Sequence, residues 1–228
     1  MKVVVVGKEK KIVEKEIPKV GLKLEKRNPD LVISFGGDGT ALYAERLYPG
    51  IPRLMIKHRE NEKVERKKLL KVLSALKEKN FKIREEIKVE GIINNNPKKK
   101  LIGLNEIGIH HRIPTKAIRL RVKVDGRIVA NEVIGDGIVV ATPYGSTAYF
   151  YSITRKKFSK GLGLAFNNSR EFLKPLILNE DSVVEAEVLR GYGLVTADND
   201  ERMIPVEKGD LLRVKKSEEK AKLIELKI

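Results

Sequence analysis

The chain has 228 residues, 41% of them hydrophobic, with 47 Lys and Arg against 31 Asp and Glu for a net charge of +16. That length suits one large domain or two small ones with a real core, and the lack of cysteine excludes a disulfide framework, a thiolate metal site and a thiol nucleophile. The charge favours polyanionic partners, either nucleic acid or nucleotide phosphates, but lysines interleaved with glutamates along the whole chain are also the mark of a solvated, heat-adapted surface.

Met1 to Gly7 is too short for a signal h-region, and Val3 to Val6 reads as a buried parallel strand. No apolar run approaches the ~20 residues of a membrane span. The expectation is a cytoplasmic protein. Lys8 to Arg27 is highly charged, with room for one short helix or strand.

Leu31 to Phe35 is a second buried strand, and it runs into Gly36-Gly37-Asp38-Gly39-Thr40. Thr40 is expected to cap the helix that follows, and Pro49-Gly50 to end it. Three glycines around one aspartate let a ligand approach the backbone, because no Cβ stands in the way. The N–H groups of the helix start suit an anion such as phosphate, and Asp38 can bind a metal or take a proton. A tight turn without a ligand is the bland alternative, but it needs one glycine, not three.

Ile51 to Ile56 is a third strand. Leu69, Val72, Leu73 and Leu76 recur at helical spacing within Asn61 to Lys79, with Glu62, Lys63, Glu65, Arg66 and Lys67 on the wet face. Strands and helices thus alternate over the first 80 or so residues, the pattern of a small parallel α/β sheet.

The pattern changes near Phe81. Ile87 and Val89 alternate with charge, and Asn94-Asn95-Asn96-Pro97 is a turn. Ile118, Leu120, Val122 and Val124 alternate with cations up to a hairpin turn at Asp125-Gly126. Val184, Ala186 and Val188 alternate with glutamates, Lys208-Gly209-Asp210 turns, and Ile224, Leu226 and Ile228 form a last strand. Many short strands with turn signals indicate a sandwich or similar all-β unit.

Three pieces of this half carry chemistry. Asn105-Glu106 is a polar pair inside an apolar stretch, costly unless satisfied, and its amide and carboxylate suit a ribose diol. A strand end with a hydrogen-bonded Asn explains it equally well. Gly135-Asp136-Gly137 before Ile138-Val139-Val140 reads by itself as a hairpin turn. It leads into Thr142-Pro143-Tyr144-Gly145-Ser146-Thr147-Ala148-Tyr149, where hydroxyls gather at a helix start and can cap it or hold phosphate or ribose. His58, His110 and His111 lack metal-ligand spacing and read as ordinary surface or strand residues.

Gly36-Gly37-Asp38-Gly39-Thr40, then Asn105-Glu106, then Gly135-Asp136-Gly137 running into Thr142-Pro143 and Gly145-Ser146-Thr147-Ala148-Tyr149, resembles the ATP-NAD kinase family in order and spacing. Lys174-Pro175-Leu176-Ile177-Leu178 is also similar. The first motif alone is shared with diacylglycerol-type lipid kinases and phosphofructokinases; the set of four is far more specific. The resemblance implies an α/β plus all-β fold: a Rossmann-like N-terminal domain over residues 1–82, joined by a returning segment 216–228, and a C-terminal β-sandwich over 83–215. It implies transfer of a phosphoryl group from ATP or polyphosphate to the 2′-hydroxyl of NAD's adenosine ribose. Asp38 would be the base or the phosphate-side carboxylate. Gly36, Gly37, Gly39 and Thr40 would cradle phosphates. Asn105 and Glu106 would hold a ribose, and Asp136, Ser146, Thr147, Ala148 and Tyr149 would line the dinucleotide pocket. It further implies a divalent metal, magnesium, and a dimer or tetramer. Phosphoryl transfer mostly needs positioning and charge neutralisation, which this set of residues can supply.

The chain departs from the family pattern in three places. Ile56 to Asn61 stands where an Asn-x-Gly-x-x-Gly-Phe-like loop is usual, Tyr144 where a small Thr is usual, and Ile153-Thr154-Arg155 where Ala-Gly-Gly is usual. They define the alternative, a divergent relative that binds NAD(P) or a nucleotide without turnover, or that phosphorylates another nucleotide-like substrate. A nucleic-acid binder ranks last, since only 5% of residues are aromatic and no recognised nucleic-acid module is present.

Overall fold

The computed structural model describes residues 1–227, so Ile228, expected in the last strand, lies outside the described residues. The chain divides into two compact units, Met1–Glu86 with Glu219–Ile228, and Ile87–Glu218.

The first unit opens with strand β1 (Lys2–Val6), a one-turn helix α1 (Lys11–Glu14) and a two-residue strand β2 (Lys23–Leu24). Strand β3 (Leu31–Phe35) leads into helix α2 (Asp38–Leu47), then strand β4 (Arg53–Ile56) and helix α3 (Arg66–Lys77). The strand order is β2-β1-β3-β4, all parallel, and the C-terminal half of the last strand of the chain joins it beside β4 through Leu223 and Arg53. Every residue of β3 is buried because both faces of the sheet are covered. Val3, Val5, Leu31 and Ile33 pack with Val13, Leu69, Leu73 and Leu76, while Val4, Val6 and Val32 point the other way onto Ala44 of α2.

The helix expected within Asn61 to Lys79 is shorter than the charge pattern suggested. It starts at Arg66 with Glu65 as its N-cap, so Glu62 and Lys63 precede it. The N-cap of α2 is Gly37, not Thr40, which sits one turn inside and donates its N–H to Gly37 O at 3.1 Å. The segment Lys8 to Arg27 holds both a short helix and a short strand.

The second unit contains the inner part of β5 (Phe81–Ile93), then β6 (Lys100–Gly103), β7 (Glu106–His111), β8 (Ile118–Val124), β9 (Arg127–Gly135), β10 (Gly137–Ala141), a one-and-a-half-turn helix α4 (Tyr149–Thr154), β11 (Leu162–Asn167), β12 (Leu176–Leu178), β13 (Val184–Arg190), β14 (Gly193–Ala197), β15 (Ile204–Val206) and the start of β16 (Leu211–Leu226). One sheet runs β16-β13-β8-β9, with β5 attached to β16 and β6 to β5; the other runs β12-β11-β10-β7-β14-β15. Ile107, Ile109, Ile138 and Val140 from the second sheet pack against Leu120, Val122, Val184 and Ala186 from the first, which makes the unit a β-sandwich. The β8–β9 hairpin turns at Asp125 and Gly126 with φ of 50° and 77°, the pair of positive angles that a type I′ turn requires.

Gly135-Asp136-Gly137 is not a hairpin turn. It is the single-residue step by which the chain leaves one sheet, at the end of β9, and enters the other, at the start of β10. Gly137 has φ +139°, and a Cβ there would sit 1.8 Å from Ile109 O, so only glycine can make this crossing. Among the described residues, no helix is long and apolar enough to cross a membrane.

Candidate active site

In the first unit the site is the turn between β3 and α2. Gly36 has φ +154°, and a Cβ there would meet Thr40 Oγ1 at 2.4 Å, so the threonine side chain fills the space beneath the turn. Gly37 is different. Its φ is −83°, and nothing lies within 4 Å of where its Cβ would be. Neither backbone strain nor packing within the protein requires glycine there, and Ser, Asp or Asn would cap α2 better. A glycine kept in open space at a helix N-cap leaves the backbone bare for an incoming group. Asp38 is the first residue of α2, its side chain 83% exposed, with Lys57 Nζ at 3.9 Å. Its charge suits the positive end of the helix, and it is free to turn toward a ligand.

The segment Ile56 to Asn61 supports this turn. Gly36 N donates to Ile56 O at 3.0 Å and His58 N to Gly36 O at 3.3 Å. The His58 ring stacks on Phe35 with centroids 4.2 Å apart, and its Nε2 pairs with Glu9 Oε2 at 2.7 Å. The same carboxylate accepts the Asn61 N–H at 3.1 Å. Both interactions with Glu9, the His58 bond first, hold its carboxyl below the ordinary range. His58 is therefore no ordinary surface residue, as its spacing suggested. It clamps the replacement loop onto the phosphate turn. A cavity of about 200 Å³ lies here, lined by Lys8, Gly36, Gly37, Thr40 and His58 among others.

In the second unit the pieces meet around Asn105 and Glu106, in the connection from β6 to β7. Asp198 at the end of β14 takes three successive backbone N–H groups: Leu104 at 2.7 Å, Asn105 at 2.8 Å and Glu106 at 3.1 Å. The carbonyl of Asn105 accepts the Thr142 N–H at 2.8 Å, and a Cβ on Gly145 would approach that carbonyl to 2.1 Å. The Thr142 hydroxyl donates to Leu104 O at 2.6 Å and accepts from Gly145 N at 3.1 Å. Thr142 is thus the hydroxyl that holds the turn, while Ser146 is buried and Thr147 exposed in the short 3-10 turn that follows. The N-cap of α4 is Ala148 and no capping side-chain bond is made there, so Ser146 and Thr147 do not cap this helix.

Glu106 differs most from its sequence reading. Burial, and secondarily the like charge of Asp198, push its carboxyl up to about 8, so at neutral pH it is mainly a carboxylic acid rather than a carboxylate. Its Oε2 is buried without a hydrogen-bond partner. Glu106, His110, Tyr149 and Asp198 line one cavity of about 510 Å³. Burial first, and His111 second, lower the pKa of His110, with Asp136 opposing. Tyr149 Oη accepts from Asn167 Nδ2 at 2.9 Å, and its ring lies 5.7 Å from that of His110.

Asp136 does not line that cavity. It sits beyond the other end of β10, where Gly137 pairs with His110 while Ala141 pairs with Glu106. His111 Nδ1 is 3.3 Å from Asp136 Oδ1 without hydrogen-bond alignment, and Asn168 Nδ2 donates to Asp136 Oδ2 at 3.3 Å. Asp198 and His110 are the residues that sequence reasoning missed. His110 carried a signal, since it lies four residues after Glu106 and so on the same face of one strand. Asp198 carried none, because it acts on backbone groups more than 90 positions away.

The comparisons fit this geometry. The family model described as the ATP-NAD kinase C-terminal domain matches residues 104–226. The NAD kinase of Pyrococcus abyssi is 40% identical over 134 residues, covering 57% of this chain and 48% of that protein. The NAD kinase of Methanosphaera stadtmanae is 31% identical over 176 residues, covering 73% of this chain and 62% of that protein. The alignment thus spans about half to three-fifths of the length of these curated relatives. Among solved structures, an NAD kinase from Archaeoglobus fulgidus in complex with ATP shares the fold with a TM-score of 0.79 at 22% identity, over 100% of this chain and 94% of that one. The matched domain takes up more than half of the sequence and contains the Asn105-Glu106 turn, the inter-sheet crossing at Asp136 and the Thr142–Tyr149 segment, and on that match the chain belongs to the ATP-NAD kinase family.

Proposed function

We propose that this chain transfers a phosphoryl group from ATP, or from polyphosphate, to the 2′-hydroxyl of the adenosine ribose of NAD, making NADP. The observation that carries this reading is Gly37, a helix N-cap left as glycine in open space beside an exposed carboxylate, which is what a phosphate chain and an attacking hydroxyl need. The family, and relatives named NAD kinase, support the acceptor; the ATP in the Archaeoglobus structure supports the donor.

Gly36, Gly37 and Gly39 offer bare backbone to the donor phosphates, and Thr40 braces the turn beneath them. Asp38 accepts the proton of the 2′-hydroxyl as the O–P bond forms, and the donor leaves with one phosphate fewer. Among the described residues no three His, Cys, Asp or Glu converge on a metal position. Magnesium bound by one carboxylate and completed by phosphate oxygens and water fits that arrangement, with Asp38 as the carboxylate. When bound, the ion would neutralise charge on the phosphates. Asn105 and the protonated Glu106 hold a ribose, the acid being able to donate as well as accept. Ser146, Thr147, Ala148 and Tyr149 bound the dinucleotide, and Asp136, beyond the other end of β10, stands apart from them. The acidic cavity at Asp198 suits hydroxyls and the cationic nicotinamide ring better than phosphate. The working form is a cytoplasmic dimer or tetramer with a heat-adapted surface.

The test is turnover of NAD with ATP and magnesium, read by an NADP-specific dehydrogenase at moderate and high temperature. Wild type makes NADP, and Asp38→Ala loses at least a hundredfold in rate with an unchanged unfolding transition. Undiminished turnover in Asp38→Ala removes the carboxylate from the chemistry. NAD binding without turnover from any donor supports the non-catalytic relative instead.

A further inference from the structure

The second unit holds another cavity, of about 740 Å³, at the end of the strand pair β7–β14 opposite to Glu106 and Asp198. It shares no lining residue with the Glu106 cavity. Three connections meet around it: the one from β7 to β8, where Lys116 N donates to Ile113 O at 2.9 Å, the turn Gly191–Tyr192 between β13 and β14, and Glu207–Lys208 before β16. Lys116, Arg119, Arg190 and Lys208 line it, against the single carboxylate of Glu207. Arg119 shares its charge with Glu132 at 3.2 Å, whereas Lys116, Arg190 and Lys208 make no ion pair among the described residues.

The strand pair β8–β13 shows that this charge is placed rather than scattered. Glu185 stands opposite Lys123, and Glu187 opposite Arg121, whose Nη1 lies 2.9 Å from Glu187 Oε2. A β-bulge after Val188 then skips Leu189 and sets Arg190 opposite Arg119. Like charges directly opposed destabilise a sheet, and a bulge is a device for re-aiming a side chain. The turn that carries Lys208 is fixed against the same point, since Gly209 N donates to Val188 O at 2.9 Å and Val188 N to Asp210 O at 2.9 Å. Two guanidiniums side by side become favourable when a phosphate lies between them and accepts from both. A bare phosphate, however, would fill little of a space whose volume lies within the ~300–1,000 Å³ of ligand pockets. Tyr192, 55% exposed, and the aliphatic side chains of Ile113 and Ile134 offer what an inorganic anion does not use. We propose that this cavity binds a nucleotide with a diphosphate or longer chain, its phosphates on Arg119, Arg190 and the flanking lysines and its base stacked on Tyr192. It is a second nucleotide site, sharing no residue with the phosphate turn or the Glu106 cavity, and it does not rest on the kinase reading.

The chain has no tryptophan, so Tyr192→Trp puts a lone indole, still able to stack, in the cavity and makes its fluorescence a local reading. The full chain with this substitution is titrated with ADP, with inorganic pyrophosphate and with a short single-stranded oligonucleotide. ADP is expected to change the emission and to bind roughly tenfold or more tighter than pyrophosphate, the difference being the stacked base. Adding Arg190→Ser weakens both by roughly tenfold or more, through the lost charge-assisted bonds. Binding at the phosphate turn, in the other unit, does not depend on Arg190. Both substitutions fall at exposed positions, and thermal unfolding checks the fold. Without ligand, Arg190→Ser melts no lower than wild type, because it relieves the opposed pair; a lower melting point would show that the arginine serves the fold and overturns the site. An emission that ADP leaves unchanged, or affinities untouched by Arg190→Ser, overturns it too. Equal affinity for ADP and pyrophosphate reduces the cavity to an anion patch, and an oligonucleotide bound more tightly than ADP makes it a nucleic-acid surface; either result overturns the nucleotide.

Discussion

Glu106 shows how far a residue's chemistry can depart from its letter. As a sequence position it offers a carboxylate; in the fold, burial and Asp198 hold its proton on up to a pKa of about 8. An acid raised in this way favours the folded state fully below its ordinary value near 4.5, and that contribution is lost as pH rises through 8. Wild type therefore loses stability between about pH 5 and pH 8 through this group. In Glu106→Gln, a neutral isostere, the loss is absent, so the variant gains on wild type across that window by on the order of 1–3 kcal/mol. Parallel curves of unfolding free energy against pH for the two proteins would contradict the protonated state. Asp198→Asn is expected to end the descent at lower pH, because it removes the like charge that discourages ionisation. The difference between Asn105-Glu106 and Asp198 also marks what the sequence makes legible. Motifs read from spacing are local: the Gly36–Thr40 turn, the polar pair and the Thr142–Tyr149 segment all stand out along the chain. Asp198 works through three backbone N–H groups brought to it by the sheet, and no pattern of side chains announces that.

At the scale of elements, α2 is held by a buried ion pair. Glu45 Oε2 accepts from Arg53 Nη1 at 2.9 Å with both side chains nearly inaccessible, and Glu45 Oε1 accepts the Gly50 N–H at 3.3 Å. One carboxylate thus ties the phosphate helix to strand β4 and to the turn that ends the helix. Glu45→Gln leaves a buried guanidinium facing a neutral amide and is expected to cost about 3 kcal/mol, read as a lower midpoint in chemical denaturation. Glu45→Leu with Arg53→Met, which removes both charges, is expected to cost less than Glu45→Gln alone. A larger loss in the double variant would mean that the pair itself stabilises the unit. Strand and helix periods made α3 and the paired strands readable, and the glycine turn with Pro49-Gly50 bracketed α2. What failed was at their ends. Thr40 looked like a cap because it is a threonine after glycines, yet the helix begins two residues earlier. Gly135-Asp136-Gly137 looked like a hairpin because Gly-Asp-Gly is turn chemistry, and nothing local says that its two flanking strands lie in different sheets.

For the whole molecule the decisive elements are β5 and β16, each of which serves both units. The sequence reading put the divisions at 82/83 and 215/216; in the structure they fall at 86/87 and 218/219. No linker composition marks either point, because the chain crosses inside a continuous strand. Ion pairs run along these strands, with Glu225 holding both Lys82 and Arg84, and Glu90 held by Lys100 and Lys215. Such networks are the part of the +16 surface that gains most with temperature. A variant ending at Glu218 lacks the strand half that pairs Leu223 with Arg53 and the Lys227 carbonyl that accepts from Asn80. Hydrogen exchange on that variant is expected to show loss of protection at Val3–Val6 and Leu31–Phe35 and retained protection at Ile107–Ile109 and Ile138–Val140; uniform loss would show that the units do not stand separately. The returning strand also sets an order of events during synthesis. As the chain leaves the ribosome, residues 87–218 emerge as one uninterrupted stretch and can close their sandwich, whereas the phosphate-binding half, begun before them, waits for the segment after Glu218 before its sheet has all its strands. Of the two units, the one begun earlier is the one completed later, and its exposed strands are what a chaperone would meet in the interval.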